Sequence, residues 1–469
     1  MDNTSLEIEL KSLNLEHNPL FKKQEHIKYV QDWRGQYEGV AAAILKPANT
    51  KEVSLILDFA NKNSINVVPQ GGNTSLCGAA TPDNSGKSIV ISLEKMNKVR
   101  QFNKEAQTIT VESGVILSQI HEIVEKENLF FPLSLGAQGS CMIGGNLSTN
   151  AGGVNVLKYG NTRELCLGLE IALPDGKIMN LISELKKDNT GYDLKNIFIG
   201  SEGTLGIITK AIFKLFPKPK LTVTTFVEAK SISNAIELLN FFQNEFPNGL
   251  EAFELMPKTF WEIAANNIDD IVFPFNKVPE MGLLIDISSS TLQDTTMNSS
   301  GEIQLNSNLE KVLTQAFEKN LIYDAILCKN ETERNKLWHI RESAAETEKK
   351  ELVKSQSIKC LKHDISIPIY NIKDFHLDAQ KMINQITPNT RTIFFGHLGD
   401  GNLHYNIFGN GTPPDGFNNN ALLITDELYK IVSKYNGSFS AEHGIGQLRK
   451  NSLAIHKNPI AYSIMKKIK

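Results

Sequence analysis

The sequence predicts an α+β protein of two domains, with room for a third, on three observations. At 469 residues the chain is long for a single hydrophobic core. Strand-like and helix-like stretches alternate irregularly, without the steady strand–helix rhythm of a doubly wound sheet. The stretch Phe216-Pro217-Lys218-Pro219-Lys220 reads as a linker between the two halves. The expected division is a helical lead-in over 1–36, a first domain over 37–218 and a second over 219–469.

Each element has its own signal. Residues 1–36 carry an amphipathic helical pattern. Ala41 to Leu45 reads as a strand stopped at Pro47, and Thr50 as the cap of a helix with Val53, Ile56, Leu57 and Ala60 at helical spacing. Strands are expected at Ile65–Val68, Ser88–Leu93 and Thr108–Glu112, then a helix at Ser118–Lys126 with Ile120, Ile123 and Val124 on one face. Beyond the linker, Leu221–Val227, Gly282–Ile287, Asp364–Pro368 and Thr392–Phe395 read as strands. Asn234–Phe242 and a charged Glu331–Glu348 read as helices, and the Ser/Thr-rich 288–301 as a loop. This half is expected to be a mostly antiparallel sheet layered with helices.

Two glycine-rich runs dominate the first half. Pro69-Gln70-Gly71-Gly72-Asn73-Thr74-Ser75, with Gly78 just beyond, follows a short apolar strand. The second run extends from Gly136 to Gly153 and holds Gly139, Ser140, Gly144, Gly145, Asn146, Thr149, Asn150 and Gly152. Such runs let the backbone approach a large ligand and turn its N–H groups toward phosphate oxygens. A Gly-x-Gly-x-x-Gly after the first strand is absent, as is Gly-x4-Gly-Lys-Ser/Thr, so neither a Rossmann site nor a P-loop fits.

Together with Gly200-Ser201-Glu202-Gly203-Thr204-Leu205-Gly206-Ile207, the runs resemble the FAD-binding (PCMH-type) domain of the vanillyl-alcohol-oxidase-like flavoproteins, over about residues 35–218. The resemblance implies that the first run binds the diphosphate, the second lies along the flavin and ribityl chain, and the third, with Glu202, Gly206 and Ile207, meets the adenosine part. Some relatives bond the flavin covalently through a histidine in the first run; Asn73 stands there in this chain, which implies non-covalent FAD.

A second constellation reads His397-Leu398-Gly399-Asp400-Gly401-Asn402-Leu403-His404-Tyr405-Asn406, followed by Glu442-His443-Gly444-Ile445-Gly446. By spacing alone this is either a divalent-metal set or a group of surface or hydrogen-bonded histidines. These motifs resemble those of the FAD-dependent D-2-hydroxyacid dehydrogenases, in the D-2-hydroxyglutarate branch. The resemblance implies that His397, His404 and Glu442 hold zinc or a similar ion, that His443 is the general base, and that Asn406 contacts substrate. It also assigns Arg341 and Lys362 to the substrate; on its own, Arg341-Glu342 on a charged helix is more often an exposed ion pair. Two cations suit a dicarboxylate, so D-2-hydroxyglutarate is the favoured acid, with D-lactate or glycolate as the alternative. A threonine that follows the arginine by four residues in those enzymes is Ala345 here, and the family's C-terminal tail is not found after Lys469. A non-redox flavoenzyme resembling alkyl-dihydroxyacetone-phosphate synthase and an inactive FAD-holding subunit are the readings from other classes; the complete His-His-Glu-His set argues against both.

Composition bounds the remainder. With 41% hydrophobic residues, 22% charged residues and a net charge of −3, nothing favours nucleic acid or an anionic membrane. Cys77, Cys141, Cys166, Cys328 and Cys360 are isolated, which suits neutral thiols in a reducing compartment. The start of the chain reads as neither a signal nor a transit segment, and no apolar run has the length of a membrane span, so a cytoplasmic protein is expected. The electron acceptor is left open among electron-transfer flavoprotein, a quinone and a cytochrome, and a homodimer is the assembly allowed for.

Overall fold

The computed structural model describes residues 3–268, 271, 273–275, 277–354, 360–388, 390–409, 417 and 419–469. The chain forms two compact units, one of Met1–Gly153, Tyr159–Lys218 and Glu442–Lys469, the other of Val154–Lys158 and Pro219–Ala441.

The first unit begins with helices Asn3–Ser12 and Lys23–Val30. Strands β1 (Ala41–Leu45), β2 (Asn66–Gln70) and β3 (Ser88–Ser92) form a parallel sheet in the order β1-β3-β2. The crossover helix Thr50–Lys62 buries Val53, Ile56, Leu57 and Ala60, the stripe its sequence spacing predicts. Its cap is Asn49 rather than Thr50. Asn49 is extended and its side chain accepts from the Glu52 N–H, whereas Thr50 already lies in the helix.

Further along run β4 (Val99–Asn103), β5 (Thr108–Glu112), the short β6 (Leu129–Phe130), β7 (Cys166–Ala172), β8 (Ile178–Asn180), β9 (Ile207–Lys214) and the short β10 (Phe216–Pro217). Five of them make an antiparallel sheet in the order β4-β5-β9-β7-β8. Helix Leu117–Glu125 closes its core with Leu117, Ile120 and Val124, and Phe131 meets Phe213 edge-on at 5.1 Å between ring centroids.

The second unit is organised by one antiparallel sheet of seven strands, β11 (Leu221–Ala229), β12 (Leu250–Pro257), β13 (Met281–Ser289), β14 (Ile322–Leu327), β15 (Cys360–Ser366), β16 (Arg391–His397) and β17 (Asn402–Phe408). Their order is β14-β11-β13-β12-β16-β17-β15. The antiparallel expectation holds. Two local expectations change. The charged helix expected over Glu331–Glu348 is two helices, Glu331–Glu342 and Ala344–Lys354, separated at Ser343, whose ψ of −1° ends the first. The stretch 288–301 is not all loop, since it contains the end of β13 and a short helix Leu292–Thr295.

Strand register sets the chemistry of this sheet. Phe395 pairs with His404, and His404 with Asp364; one step along, Ile393 pairs with Asn406, and Asn406 with Lys362. Glu254 on β12 pairs with His397 on β16. Side chains alternate faces with period two, so Glu254, His397, His404, Asp364, Asn406 and Lys362 share one face.

Candidate active site

In the first unit, β2 delivers the chain to the turn at Gly71–Ser75, and Gln70 holds that turn in place. Its Nε2 donates to the carbonyls of Tyr29 and Ala80, each at 2.8 Å. Asn73 is left-handed (φ 53°) and its Nδ2 donates to the Gln31 carbonyl at 2.8 Å. Gly72 is pressed against the second run so closely that a Cβ would collide with the Ser140 carbonyl. The helix Ile143–Thr149 presents Gly145 differently, for a Cβ there would meet no protein atom within 4 Å.

These runs border one cleft. Of the sequence-predicted cofactor residues, Pro69, Gly71 to Ser75, Gly136, Gly144, Gly145, Asn146, Thr149, Gly152, Glu202, Gly206 and Ile207 line it. Gly78, Gly139, Ser140, Asn150 and Gly153 do not, and three of these have visible structural work. Gly78 (φ 71°) faces the Tyr37 ring, Gly153 (φ 132°) faces the Ser134 carbonyl, and Asn150 ends the helix in a left-handed turn while accepting from the Arg163 N–H at 3.0 Å. Sequence reasoning missed Gln70, Met142 and Ser148 on the wall; they sit inside the runs but lack the glycine signal.

The cleft fits a large polar cofactor. Asn146 is only 5% exposed, yet its Oδ1 has no hydrogen-bond partner among the described residues. A buried acceptor left unmatched costs about 1–3 kcal/mol, and an N–H of a bound flavin would satisfy it.

Glu442 and His443 line the same cleft, with His443 Nε2 3.2 Å from Glu442 Oε1. Their turn is held by Glu202, whose carboxylate accepts from the Ile445 and Gly446 N–H groups, each at 2.7 Å. Arg449 adds a bond from Nη1 to the Gly444 carbonyl at 2.9 Å. Glu202 is itself left-handed (φ 52°). This clamp is a role for Glu202 that the sequence did not predict.

In the second unit the shared sheet face gathers Lys362, His397, His404 and Asn406. Glu254, 1% exposed, receives His397 Nδ1 at 2.6 Å on one oxygen and Arg341 Nε at 2.7 Å on the other. Burial alone would raise the Glu254 carboxyl; the neighbouring His397 and Arg341, by charge and hydrogen bond, outweigh it and pull the group down to about 2. With Nδ1 committed to a carboxylate, Nε2 is the ring nitrogen through which His397 would ligate an ion. The His397 and His404 rings lie 6.0 Å apart between centroids, and a His404 nitrogen lies within 4.8 Å of an Asp364 carboxylate oxygen.

Both cations expected at the substrate already face carboxylates. Arg341 is 8% exposed, bound to Glu254, with its guanidinium 5.2 Å from the Phe395 ring centre. Lys362 Nζ lies 2.6 Å from Glu348 Oε2, and Asn406 Nδ2 donates to Glu348 Oε1. Glu254 and Glu348 were not anticipated. A glutamate inside the apolar run Leu250 to Pro257 was a legible signal for the first, whereas Glu348 looked like one more charge on a charged helix.

A cleft walled by two glycine-rich runs in one unit, and an antiparallel sheet face rich in histidine and carboxylate in the other, are the marks of an FAD-linked oxidoreductase. Family models agree, an FAD binding domain matching residues 41–182 and the C-terminal domain of FAD linked oxidases matching residues 218–469. The chain belongs to the FAD-linked oxidases, within the FAD-dependent D-2-hydroxyacid dehydrogenase family. It is 34% identical to a D-2-hydroxyglutarate dehydrogenase, mitochondrial, of Arabidopsis thaliana, over 93% of this chain and 74% of that protein. It is 32% identical to a D-2-hydroxyglutarate–pyruvate transhydrogenase of Saccharomyces cerevisiae, over 95% of this chain and 87% of the relative. Among solved structures, alkyldihydroxyacetonephosphate synthase superposes with a TM-score of 0.69 at 18% identity, covering 98% of this chain and 82% of that one, which shows a common fold alone.

The comparisons correct one expectation. A cytoplasmic location was read from composition and from the first residues, but several relatives matched over 93% of this chain are named as mitochondrial enzymes. Composition and hydropathy do not encode the compartment in which a globular enzyme works. Among the described residues no helix is long and apolar enough to cross a membrane.

Proposed function

We propose that this protein oxidises a D-2-hydroxy acid, D-2-hydroxyglutarate foremost, to the corresponding 2-oxo acid, with FAD bound non-covalently in the first unit's cleft and a divalent cation, zinc in the first instance, held by His397, His404 and Glu442. The observation that carries this reading is the single sheet face bearing Lys362, His397, His404 and Asn406, in a chain of this family. When bound, FAD supplies the hydride acceptor and the ion a Lewis acid for the substrate hydroxyl.

The chain's own residues do the rest. His443 removes the hydroxyl proton as general base, a role typically worth about 10² to 10⁴ in rate. Glu202 keeps His443 on station through the two N–H groups it binds. Glu254 fixes the tautomer and the ring plane of His397. Asn406 and Lys362 receive the acid's distal end, while Arg341, locked to Glu254, lends charge through that pair. Asn73, whose amide serves to hold the turn, offers no nucleophile for a flavin bond.

The test of the ion is chelation. Stripping the metal should leave the flavin spectrum nearly unchanged while abolishing its reduction by substrate, and zinc should restore it. Full activity in protein shown to be metal-free by elemental analysis removes the ion from the mechanism.

A further inference from the structure

Glu348 lies on the helix Ala344–Lys354 and turns inward, where it is 5% exposed. Its neighbours Glu346, Lys349 and Lys350 face solvent. A carboxylate taken out of water is costly unless charge and hydrogen bonds replace its hydration. The replacement is a built subsite, with Lys362 Nζ 2.6 Å from Oε2 and the Asn406 amide donating to Oε1. Lys362 and Asn406 are cross-strand partners, so their polar ends converge on one spot above the sheet. The spot lies one same-face pair along from His404 and Asp364, about 7 Å by strand geometry. A five-carbon dicarboxylate anchored near His404 spans that distance.

We propose that Glu348 is a specificity-determining residue: its carboxylate occupies the Lys362–Asn406 subsite and competes there with the distal carboxylate of the substrate. The inference rests on the assignment of Lys362 and Asn406 to the substrate made above. With Arg341 matched by Glu254 and Lys362 by Glu348, each cation of the expected substrate set already faces a carboxylate before any ligand arrives. A second carboxylate enters only as Glu348 gives up its partners, because two carboxylates sharing one ammonium repel. An acid with a short uncharged side chain, such as D-lactate, leaves Glu348 where it is. The same geometry accounts for Lys362 being 40% exposed along its side chain, since the ammonium can be approached from solvent without unfolding its strand.

The test uses the FAD-loaded full-length protein and two variants, Glu348→Gln and Glu348→Ala, the second taking over if the first proves unstable. Two readouts are independent. Glutarate has no hydroxyl to oxidise, so the change in its Kd between wild type and variant, by titration calorimetry, reports the subsite without turnover. The ratio of kcat/KM for D-2-hydroxyglutarate over D-lactate reports the subsite in turnover. Freeing one charge-assisted contact predicts glutarate binding and that ratio each rising about tenfold or more. Adding Lys362→Met to either variant should erase the gain. Unchanged or weaker glutarate binding in both variants overturns the inference. If neither acid reduces the flavin in wild type, the functional reading fails, while the glutarate result still decides the role of Glu348.

Discussion

Removing the charge of Glu254 should unbalance the second unit in a way that a second substitution repairs. Glu254 is 1% exposed and Arg341 8%, and their 2.7 Å bond is shared with His397 at 2.6 Å. Glu254→Gln keeps the shape and still accepts from His397 Nδ1, but leaves the Arg341 guanidinium buried without a counter-charge. Breaking a buried pair from one side costs about 3–5 kcal/mol. A unit of this size loses about 2–4 °C of Tm per kcal/mol, so a fall of about 6–20 °C is expected by calorimetry. Replacing both members with similar volume is often nearly neutral, so Glu254→Gln with Arg341→Met should recover most of that loss. Zinc affinity, measured by competition with a chromophoric chelator, should fall about 10- to 100-fold in the single variant, because the ring of His397 loses its charged partner. A single variant that melts within 1 °C of wild type, or a double variant that loses the sum of the two single losses, refutes this account of the pair.

Other expectations follow from the first unit. Gly145→Leu should fold, because the new side chain enters open space, yet purify without flavin; Gly72→Leu should fail to fold because of the Ser140 carbonyl. Absorbance at 450 nm and a thermal melt separate the two. Glu202→Ala should retain FAD but lose about ten- to hundredfold in kcat, as the His443 turn gives up two charge-assisted bonds; loss of FAD with kcat per flavin intact would assign Glu202 to the cofactor alone. Burial pushes the Cys166 thiol up to about 12, against about 8.5 unfolded. The unfolded chain therefore releases this proton first, and Cys166 withdraws about 1.4 kcal/mol of stability per pH unit between those values. Urea midpoints that do not decline between pH 9 and 11 would contradict that sign.

How far the sequence could be read depended on whether a residue's signal was local. The helix carrying Val53, Ile56, Leu57 and Ala60 follows from spacing, the strands before and after it from short apolar runs and the turn at Gly71–Ser75 from its glycines, but the parallel pairing of those strands does not. The Asn49 cap was displaced by one residue because Asn and Thr stand adjacent and either side chain can cap. Strand β12 was missed altogether: every residue of it is buried, so Leu250 to Pro257 shows no alternation, and its glutamates look out of place in a core. A glutamate in that apolar run signals a buried charge, but its partners, Arg341 and His397 for Glu254, lie far along the chain. The single helix expected over Glu331–Glu348 broke at Ser343, and that break lets the second helix turn Glu348 inward. The motifs around His397, His404 and His443 were recognisable as words; which atoms of them are committed, such as His397 Nδ1, is a property of the fold.

Anaerobic reduction of the flavin tests the proposed oxidation most directly. FAD-loaded protein mixed without oxygen with D-2-hydroxyglutarate should bleach at 450 nm, the L enantiomer should not, and His443→Gln should keep its FAD while slowing bleaching by about 10² to 10⁴. No bleaching with any D-2-hydroxy acid, or bleaching of the His443→Gln variant at the wild-type rate, would contradict it.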